Sequence, residues 1–296
     1  MELTRTQFDI LSTLAVEGAL SRVEPETRTE PSRNIVSRTV SELTELGLLS
    51  EGAVTPSGFD ALEPYRARRA IFIAAGFGSR LVPITLNTPK PLVRVNGRRM
   101  IDTLIDACLS AGIEEIYIVR GYLSEQFDQL LYKYPMIRFF ENPAYNESNN
   151  ISSAMTARYL MQNAYVLEAD LLVYNPKIIR KYNYCSNVLG IWKARTDDWC
   201  LTVDQDGFVD EEKVGGLNCY QMVGIYYLNS ADGARLSSHI QEAFLAPGGK
   251  ERYWETVPNQ AFRGQYRIEV IPCRDEDVAE IDTFRELKAI DRSYDV

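Results

Sequence analysis

The segment that follows the first long apolar run of the chain carries residues suited to binding phosphate groups. Gly76 and Gly78 allow backbone N–H groups to approach phosphate oxygens without obstruction by a Cβ atom. Arg80 adds a rigid fork of donors, and Lys90 adds a mobile point charge. A glycine pair after a strand also serves as an ordinary turn, so it is the complete run 74–92 that predicts a polyphosphate site.

Acidic residues at two distant points could hold a divalent cation. Asp170 follows the apolar run 165–167, and Glu168 precedes it by two residues, so both side chains are expected on one face at the carboxyl end of a strand. Open α/β sheets bind ligands at that end, and Mg²⁺ prefers one or two carboxylates together with phosphates and water. Asp282 precedes a helical stretch, so it could cap that helix or bind the cation.

Composition and missing motifs exclude several function classes. The chain has 296 residues, 45% of them hydrophobic, and a net charge of −9, which argues against nonspecific binding of nucleic acid. Its five cysteines lack Cys-x-x-Cys spacing and it has one histidine, which argues against zinc sites, disulfide frameworks and histidine triads. The P-loop and Gly-x-Gly-x-x-Gly motifs are absent. Without a membrane-spanning run or a signal peptide, we expect a cytoplasmic protein.

Alternating strands and helices must position the chemical groups. Apolar runs with helical patterns between them predict a mostly parallel sheet flanked by helices, a Rossmann-like α/β domain over residues 67–296. The strands are expected at 70–75, 116–119, 137–140 and 165–167. Beyond residue 186 the sequence is rich in strands, with a hairpin at Asp206-Gly207 and helices near 232–246, 250–262 and 283–290.

Residues 1–66 are expected to form a separate small α+β module. Helical spacing at 4–17 and 32–46, followed by a turn at 54–58, is typical of a winged helix with 32–46 in the recognition position. The polar, proline-broken run 21–31 departs from that pattern. Six arginines and no lysine against eleven acids argue against DNA binding, so we favour a docking or regulatory role.

The run 74–92 resembles the signature of nucleotidyltransferases that make activated sugars and alcohols. Over residues 69–291 the chain is most similar to the bacterial CTP:phosphocholine cytidylyltransferases. The resemblance implies that Ala75, Gly76 and Gly78 surround the nucleotide. It also implies that Arg80 contacts the phosphates and that Lys90 stabilises charge developing at the α-phosphate.

Further site residues follow from the same resemblance. It implies a Mg²⁺ cofactor held by Asp170 and by Asp282 of the Glu280-Ile281-Asp282 string. Asn149 and Asn150 match an asparagine pair near the cytidine, although an asparagine there could also cap the helix expected at 149–162.

The acceptor pocket is expected to contain aromatic side chains. A quaternary ammonium such as choline donates no hydrogen bonds, so it is recognised by aromatic faces and a compensating acid. Trp199 and Trp254 lie in segments that resemble the choline-contacting parts of the family, and Glu280 could supply the charge. Tyr226 lies in a strand and could equally fill the core.

The predicted function is transfer of CMP from CTP to phosphocholine, giving CDP-choline and pyrophosphate by Mg²⁺-dependent in-line attack on the α-phosphate. The same chemistry on phosphoethanolamine, 2-aminoethylphosphonate or a sugar 1-phosphate is the alternative. A rival from another class is a nucleotide-sensing, DNA-binding regulator. Homo-oligomerisation and the strictness for CTP stay open.

Overall fold

A computed structural model describes residues 2–18 and 33–295. The chain divides into two compact units, one formed by Met1–Arg66 with Lys181–Tyr184 and the other by Ala67–Arg180 with Cys185–Val296. Within the described ranges, no helix is long and apolar enough to cross a membrane.

The first unit contains two helices, a two-stranded sheet and a third helix. In chain order these are α1 (Arg5–Glu17), α2 (Arg33–Glu45), β1 (Leu49–Ser50), β2 (Ala53–Val54) and α3 (Pro56–Leu62). A capping box between Thr4 and Gln7 begins α1, whose apolar face packs with Tyr182 from the later segment. The expected irregular run 21–31 lies outside the described residues, and the winged-helix assignment stays a prediction.

The second unit is built on a seven-stranded sheet. Its elements are β3 (Arg69–Ala74), β4 (Arg94–Val95), β5 (Arg98–Arg99), α4 (Met100–Ser110), β6 (Glu115–Arg120), β7 (Arg138–Glu141), α5 (Ile151–Ala157), β8 (Ala164–Glu168), β9 (Leu171–Val173), β10 (Asn187–Val203), β11 (Val209–Leu228), α6 (Ser230–Leu245), β12 (Glu269–Cys273), β13 (Val278–Glu280) and α7 (Phe284–Ile290). The sheet order is β12-β10-β11-β8-β3-β6-β7. Strands β8, β3, β6 and β7 are parallel, whereas β11 runs antiparallel to both neighbours.

Both faces of the sheet are buried. Phe72 of β3 packs into one apolar cluster together with α4, while Ile71 and Ile73 pack into a second cluster with α5 and α6. This alternation explains why β3 is apolar from Ala70 to Ala74, as strands covered on two faces are. The sequence prediction of a mostly parallel sheet between helices is confirmed.

Strands β10 and β11 form a long, curled hairpin arm. Its turn contains Asp206 and Gly207, where Gly207 adopts a φ of +88°. The arm curls back on itself, since Cys200 of β10 pairs with both Lys213 and Gln221 of β11. The curl brings the start of β11 near the middle of the same strand.

The prediction of a single helix at 250–262 is wrong. A short 3₁₀ turn at Gly249–Glu251 and a π turn at Val257–Ala261 occupy this segment. Gly248 has a φ of +71° and Pro258 lacks a backbone donor, so the chain is interrupted on both sides of Trp254.

Candidate active site

The glycine loop positions Lys90 through direct packing. Gly78 adopts a φ of +68°, and a Cβ atom there would lie 2.9 Å from Lys90 Cβ. Thr85 closes the loop by donating a hydrogen bond of 3.0 Å to the Gly78 carbonyl. Glycine is therefore required at position 78 both for the left-handed backbone and for the close approach of the lysine.

Lys90 lies at the centre of a charge network. Its Nζ donates to Asp170 Oδ2 at 2.7 Å and to Asp282 Oδ1 at 2.8 Å. Arg80 Nη2 also donates to Asp282 Oδ1, at 2.8 Å. Burial alone lowers the pKa of Lys90, but the two aspartate charges outweigh it and raise the pKa above its ordinary value. The lysine is therefore a fixed positive charge at neutral pH.

Strand pairing brings the two distant acidic segments together. Strand β13 pairs with β9, so that Glu280 lies opposite Leu171, and the Ile281 N–H donates to the Asp170 carbonyl at 3.2 Å. One carboxylate oxygen from each of Asp170, Glu280 and Asp282 lies within 4.8 Å of the others.

These acids fit a hard divalent cation. Asp170 Oδ1 is buried and lacks a hydrogen-bond partner among residues 2–18 and 33–295. Glu280 is exposed at the mouth of this cluster, and partial desolvation together with the like charges of Asp170, Asp282 and Asp198 raises the pKa of its carboxyl group above the ordinary value. An orphaned oxygen and mutually repelling carboxylates are what Mg²⁺ coordination relieves.

Asp282 does not cap the helix that follows it. Thr283 is the N-cap of α7 and forms a capping box with Glu286. The Asp282 carboxylate is therefore left to Lys90 and Arg80. Burial acts to raise the pKa of Asp282, but the charge of Lys90 and then that of Arg80 outweigh it, and the pKa is lowered.

The asparagine pair connects the glycine-loop side of the cleft to the segment near Trp254. Asn150 Nδ2 donates to Glu168 Oε1 and to Glu255 Oε2, both at 3.1 Å, and its Oδ1 accepts from the Trp254 N–H at 2.8 Å. No cap hydrogen bond comes from this side chain. Asn149 Nδ2 donates to the Glu251 carbonyl at 3.3 Å.

Two of the expected aromatic residues do not reach the cleft wall. Tyr226 and Trp254 are 0% and 1% exposed and pack edge to face with ring centroids 5.0 Å apart. Trp254 Nε1 donates to Glu168 Oε1 at 3.3 Å, so its polar edge supports an acid. Trp199 does line the cleft, where it meets Tyr253 edge to face at 5.7 Å.

Glu168 and Glu255 form a buried pair. Burial and then the Glu255 charge raise the pKa of Glu168 well above its ordinary value, and burial also raises the pKa of Glu255. Asn150 Nδ2 donates to both carboxyl groups, so the two acids lie around one shared amide. Sequence reasoning missed Glu255, whose only signal was its position beside Trp254.

A cleft of about 620 Å³ collects these groups. The sequence-predicted residues on its wall are Ala75, Gly76, Gly78, Arg80, Lys90, Asn149, Asn150, Asp170, Trp199, Glu280 and Asp282. Its acidic residues are Glu168, Asp170, Asp198, Glu212, Glu255, Glu280 and Asp282. Sequence reasoning also missed Glu212, because its neighbours Glu211 and Lys213 are charged and the segment looks like a solvent-facing strand.

Comparison with known proteins identifies the family. Residues 69–191 match the model of the family described as "Nucleotidyl transferase". A 2-aminoethylphosphonate cytidylyltransferase from Lancefieldella rimae is 36% identical over 76% of this chain and 92% of its own length. The chain belongs to the nucleotidyl transferase family. It is therefore an enzyme of the nucleotidyltransferase class.

Other relatives of this nucleotidyltransferase agree in fold. The choline-phosphate cytidylyltransferase of Streptococcus pneumoniae is 28% identical over 75% of this chain and 96% of its own length. A solved structure of the S. pneumoniae CTP:phosphocholine cytidylyltransferase superposes with a TM-score of 0.69 at 29% identity, covering 76% of this chain and 99% of that one. The family fold thus covers the second unit.

Proposed function

We propose that this nucleotidyltransferase transfers a cytidylyl group from CTP to a small phosphonate or phosphate ester with a terminal ammonium, 2-aminoethylphosphonate being the favoured acceptor. The observation that carries the proposal is the charge of the cleft, where seven acidic side chains face only Arg80 and Lys90 among its described residues. Anionic substrates need accompanying cations in such a cleft, and Mg²⁺ and the ammonium of the acceptor are those cations.

Similarity supports the same acceptor. The Lancefieldella rimae relative, whose name gives 2-aminoethylphosphonate, is 36% identical, against 28% for the Streptococcus pneumoniae choline-phosphate enzyme. The burial of Tyr226 and Trp254 also leaves fewer aromatic faces for a quaternary ammonium than the sequence led us to expect.

The glycine-loop side of the cleft is proposed to bind CTP. The backbone around Gly76 and Gly78 approaches the phosphates, and Arg80 and Lys90 neutralise their charge. Ala75, Asn149 and Asn150, which also line the cleft, are proposed to bind the nucleoside, and hydrogen bonds between the asparagines and residues 250–255 hold the pair in place.

Asp170 and Asp282, with Glu280 beside them, are the residues that would hold Mg²⁺. When bound, the ion supplies positive charge that neutralises phosphate oxygens of the nucleotide. Lys90 donates to both aspartates, so the side chains that would hold the ion already converge on one positive charge.

The reaction proposed is an in-line displacement. A phosphonate oxygen of the acceptor forms a bond to the α-phosphorus of CTP as the bond to the β-phosphate oxygen breaks, and the electron pair leaves with pyrophosphate. No protein nucleophile or base is required, since the phosphonate or phosphate group of the acceptor is largely ionised at neutral pH. Lys90 and Arg80 stabilise the negative charge that grows on the phosphate oxygens, and the cleft walls align the reactants.

Phosphocholine, the acceptor predicted from the sequence, is the second candidate. The observation that favours it is the edge-to-face pair of Trp199 and Tyr253 on the cleft wall. A quaternary ammonium against these rings would gain cation–π attraction, which does not require hydrogen bonds.

A product survey tests the proposal. The protein is incubated with each of the four nucleoside triphosphates, Mg²⁺ and either 2-aminoethylphosphonate, phosphoethanolamine, phosphocholine or glucose 1-phosphate, and products are identified by mass spectrometry. We expect CMP-aminoethylphosphonate and pyrophosphate from CTP, and none after chelation with EDTA. Preference for phosphocholine or the sugar phosphate would overturn the acceptor assignment. No product with any pair, combined with retardation of genomic DNA fragments in a gel, would favour the regulator.

A further inference from the structure

Glu212 is a buried acid without a partner in the wall of the cleft. It lies near the start of β11, opposite Leu201 of β10, and is 6% exposed. Both of its carboxylate oxygens are buried, and neither has a hydrogen-bond partner among residues 2–18 and 33–295. Its side chain nevertheless lines the same cleft as Lys90 and Asp170.

Such an arrangement is unfavourable for the free protein. A buried carboxylate normally has a cation or several donors around it, because desolvation without compensation costs stability. Asn259 approaches Glu212 and lowers its pKa as a hydrogen-bond donor would, but the well-formed hydrogen bond of its Nδ2 goes to Tyr226 Oη at 3.1 Å. Burial, with the like charge of Glu255 added, raises the pKa of Glu212 to about 7.

Neighbouring basic residues do not compensate this acid. Lys213 follows it in β11 but forms an ion pair with Glu211 at 2.7 Å, and both of these side chains are more exposed. The alternation of a strand places consecutive side chains on opposite faces, so Glu211 and Lys213 face away from the cleft while Glu212 faces it. Lys213 therefore does not supply a cation to Glu212 in the cleft.

The acids of the cleft form a connected series. Glu212, Glu255, Glu168 and Asp170 all line the cleft, and Asn150 Nδ2 donates to both Glu168 and Glu255. The like charge of Glu255 raises the pKa of Glu212, and that of Asp170 contributes to the raised pKa of Glu168. A small zwitterion with phosphonate at one end and ammonium at the other would meet both kinds of charge in this cleft, Lys90 for its anionic end and Glu212 for its cationic end.

We propose that Glu212 binds the ammonium of the acceptor and selects a primary amine over a trimethylated one. This rests on the proposed function. A primary ammonium has three N–H donors and can satisfy both orphaned oxygens of Glu212, whereas a trimethylammonium has none and leaves them unsatisfied. Sites whose buried polar groups are left unpaired reject the analogue that lacks the donor.

Steady-state kinetics on Glu212→Gln test this role, with 2-aminoethylphosphonate, phosphocholine and ethylphosphonate, which lacks the amine, as acceptors. Glutamine keeps the volume and removes the charge. We expect the KM for 2-aminoethylphosphonate to rise ~10- to 100-fold, as for loss of a hydrogen bond to a charged group. The kcat at saturation, the KM for CTP and the kinetics with ethylphosphonate should change less than about threefold.

Two further variants separate recognition from structure. Glu211→Gln removes a carboxylate one residue away on the solvent side and should behave as the unmodified protein. Glu212→Asp keeps the charge and should retain more of the preference for the amine over ethylphosphonate than Glu212→Gln does. If both Glu212 variants raise the KM values for CTP, ethylphosphonate and 2-aminoethylphosphonate by the same factor, the role of Glu212 is structural and the inference is overturned.

The test also distinguishes this inference from the proposed function. If the unmodified protein does not use primary amines at all, the proposed function fails before any variant is measured. If it uses 2-aminoethylphosphonate well and Glu212→Gln leaves that KM unchanged, only the role of Glu212 is refuted.

Discussion

At the scale of single residues, the cleft is organised around charges that do not balance within the protein. Lys90 bridges Asp170 and Asp282, Arg80 shares Asp282, and the remaining acids have no basic residue of the cleft wall to pair with. An ordinary structural ion pair would use as many cations as anions. The excess of acids therefore indicates that the site is completed by its ligands.

Lys90→Ala should lower kcat by ~10²–10³ at saturating CTP, since it removes a preorganised positive charge from the reacting phosphates. Initial rates of pyrophosphate release measure the effect. Lys193→Ala is the matched control because Lys193 pairs with Asp275, outside the cleft, and should have near-normal turnover. A Lys90→Ala protein that turns over within about threefold of normal would refute the assigned role.

The stability of the free protein should depend on pH through Glu212. Its pKa is raised from 4.5 to about 7 in the fold, chiefly by burial. Between pH 4.5 and pH 7 the folded state holds a proton on Glu212 that the unfolded chain has released. The contribution of Glu212 to the free energy of unfolding therefore falls as the pH rises through this range, and it stays unfavourable above pH 7. The penalty is on the order of 3 kcal/mol.

Glu212→Gln should therefore be more stable than the unmodified protein at pH 8, and the two should be similar at pH 5. Urea unfolding at both pH values measures the difference. The titratable groups facing Glu212 are Glu255 and Tyr226, and both are retained in the variant. A stability difference that is the same at pH 5 and pH 8 would contradict the prediction.

At the scale of elements, two local devices form the catalytic end of the cleft. The short antiparallel pair β9–β13 brings Glu280 and Asp282 to Asp170, and the loop after β3 brings Gly78 against Lys90. The first device joins segments about 110 residues apart and the second acts within one loop, and both set the positions of charged side chains in the cleft, so small changes in backbone geometry are expected to affect the chemistry more than the stability.

Gly78→Ala tests the loop device. An alanine at a φ of +68° is strained by ~1 kcal/mol, and its Cβ would lie 2.9 Å from Lys90 Cβ, so the lysine must move. We expect kcat to fall at least about tenfold, in line with the sensitivity of catalysis to small displacements. Gly97→Ala is the matched control, because Gly97 also has a positive φ, +82°, but has open space around it. Equal activity losses in the two variants would contradict the packing argument.

At the scale of the whole molecule, the two units are not two continuous segments of the sequence. The residues that line the cleft all lie between 73 and 282, within the second unit. The segment Lys181–Tyr184, however, belongs to the first unit, where Tyr184 stacks on Tyr65 at 5.8 Å and contacts Phe8 at 5.4 Å.

A chain truncated to residues 67–296 should therefore keep its kcat within a few-fold but lose solubility. Removal of residues 1–66 takes away Phe8 and Tyr65 and leaves Tyr182 and Tyr184 exposed, which favours association. Kinetics and light scattering measure the two effects. Replacing both tyrosines by serine should restore solubility to the truncated chain, and a soluble but inactive product would show that the first unit takes part in the chemistry.

Local sequence determined much of this protein. The apolar run before Gly76 and its alternation with helical patterns predicted the sheet, and the glycine loop with Arg80 and Lys90 identified the class of chemistry. Both patterns can be read within a short stretch of sequence. A strand that is buried on both faces, as β3 is, shows a continuous apolar run, and a phosphate loop needs its glycines at fixed spacing.

Only the tertiary structure decided which side chains face the cleft. Trp254 and Tyr226 turn into the core while Glu212 and Glu255 turn into the cleft, which their local charge pattern does not reveal. The curl of the β10–β11 arm and the irregular backbone at 249–261 set these orientations. The physical reason is that burial and pairing depend on segments that are distant in the sequence, so neighbouring residues cannot specify which carboxylate is left without a partner.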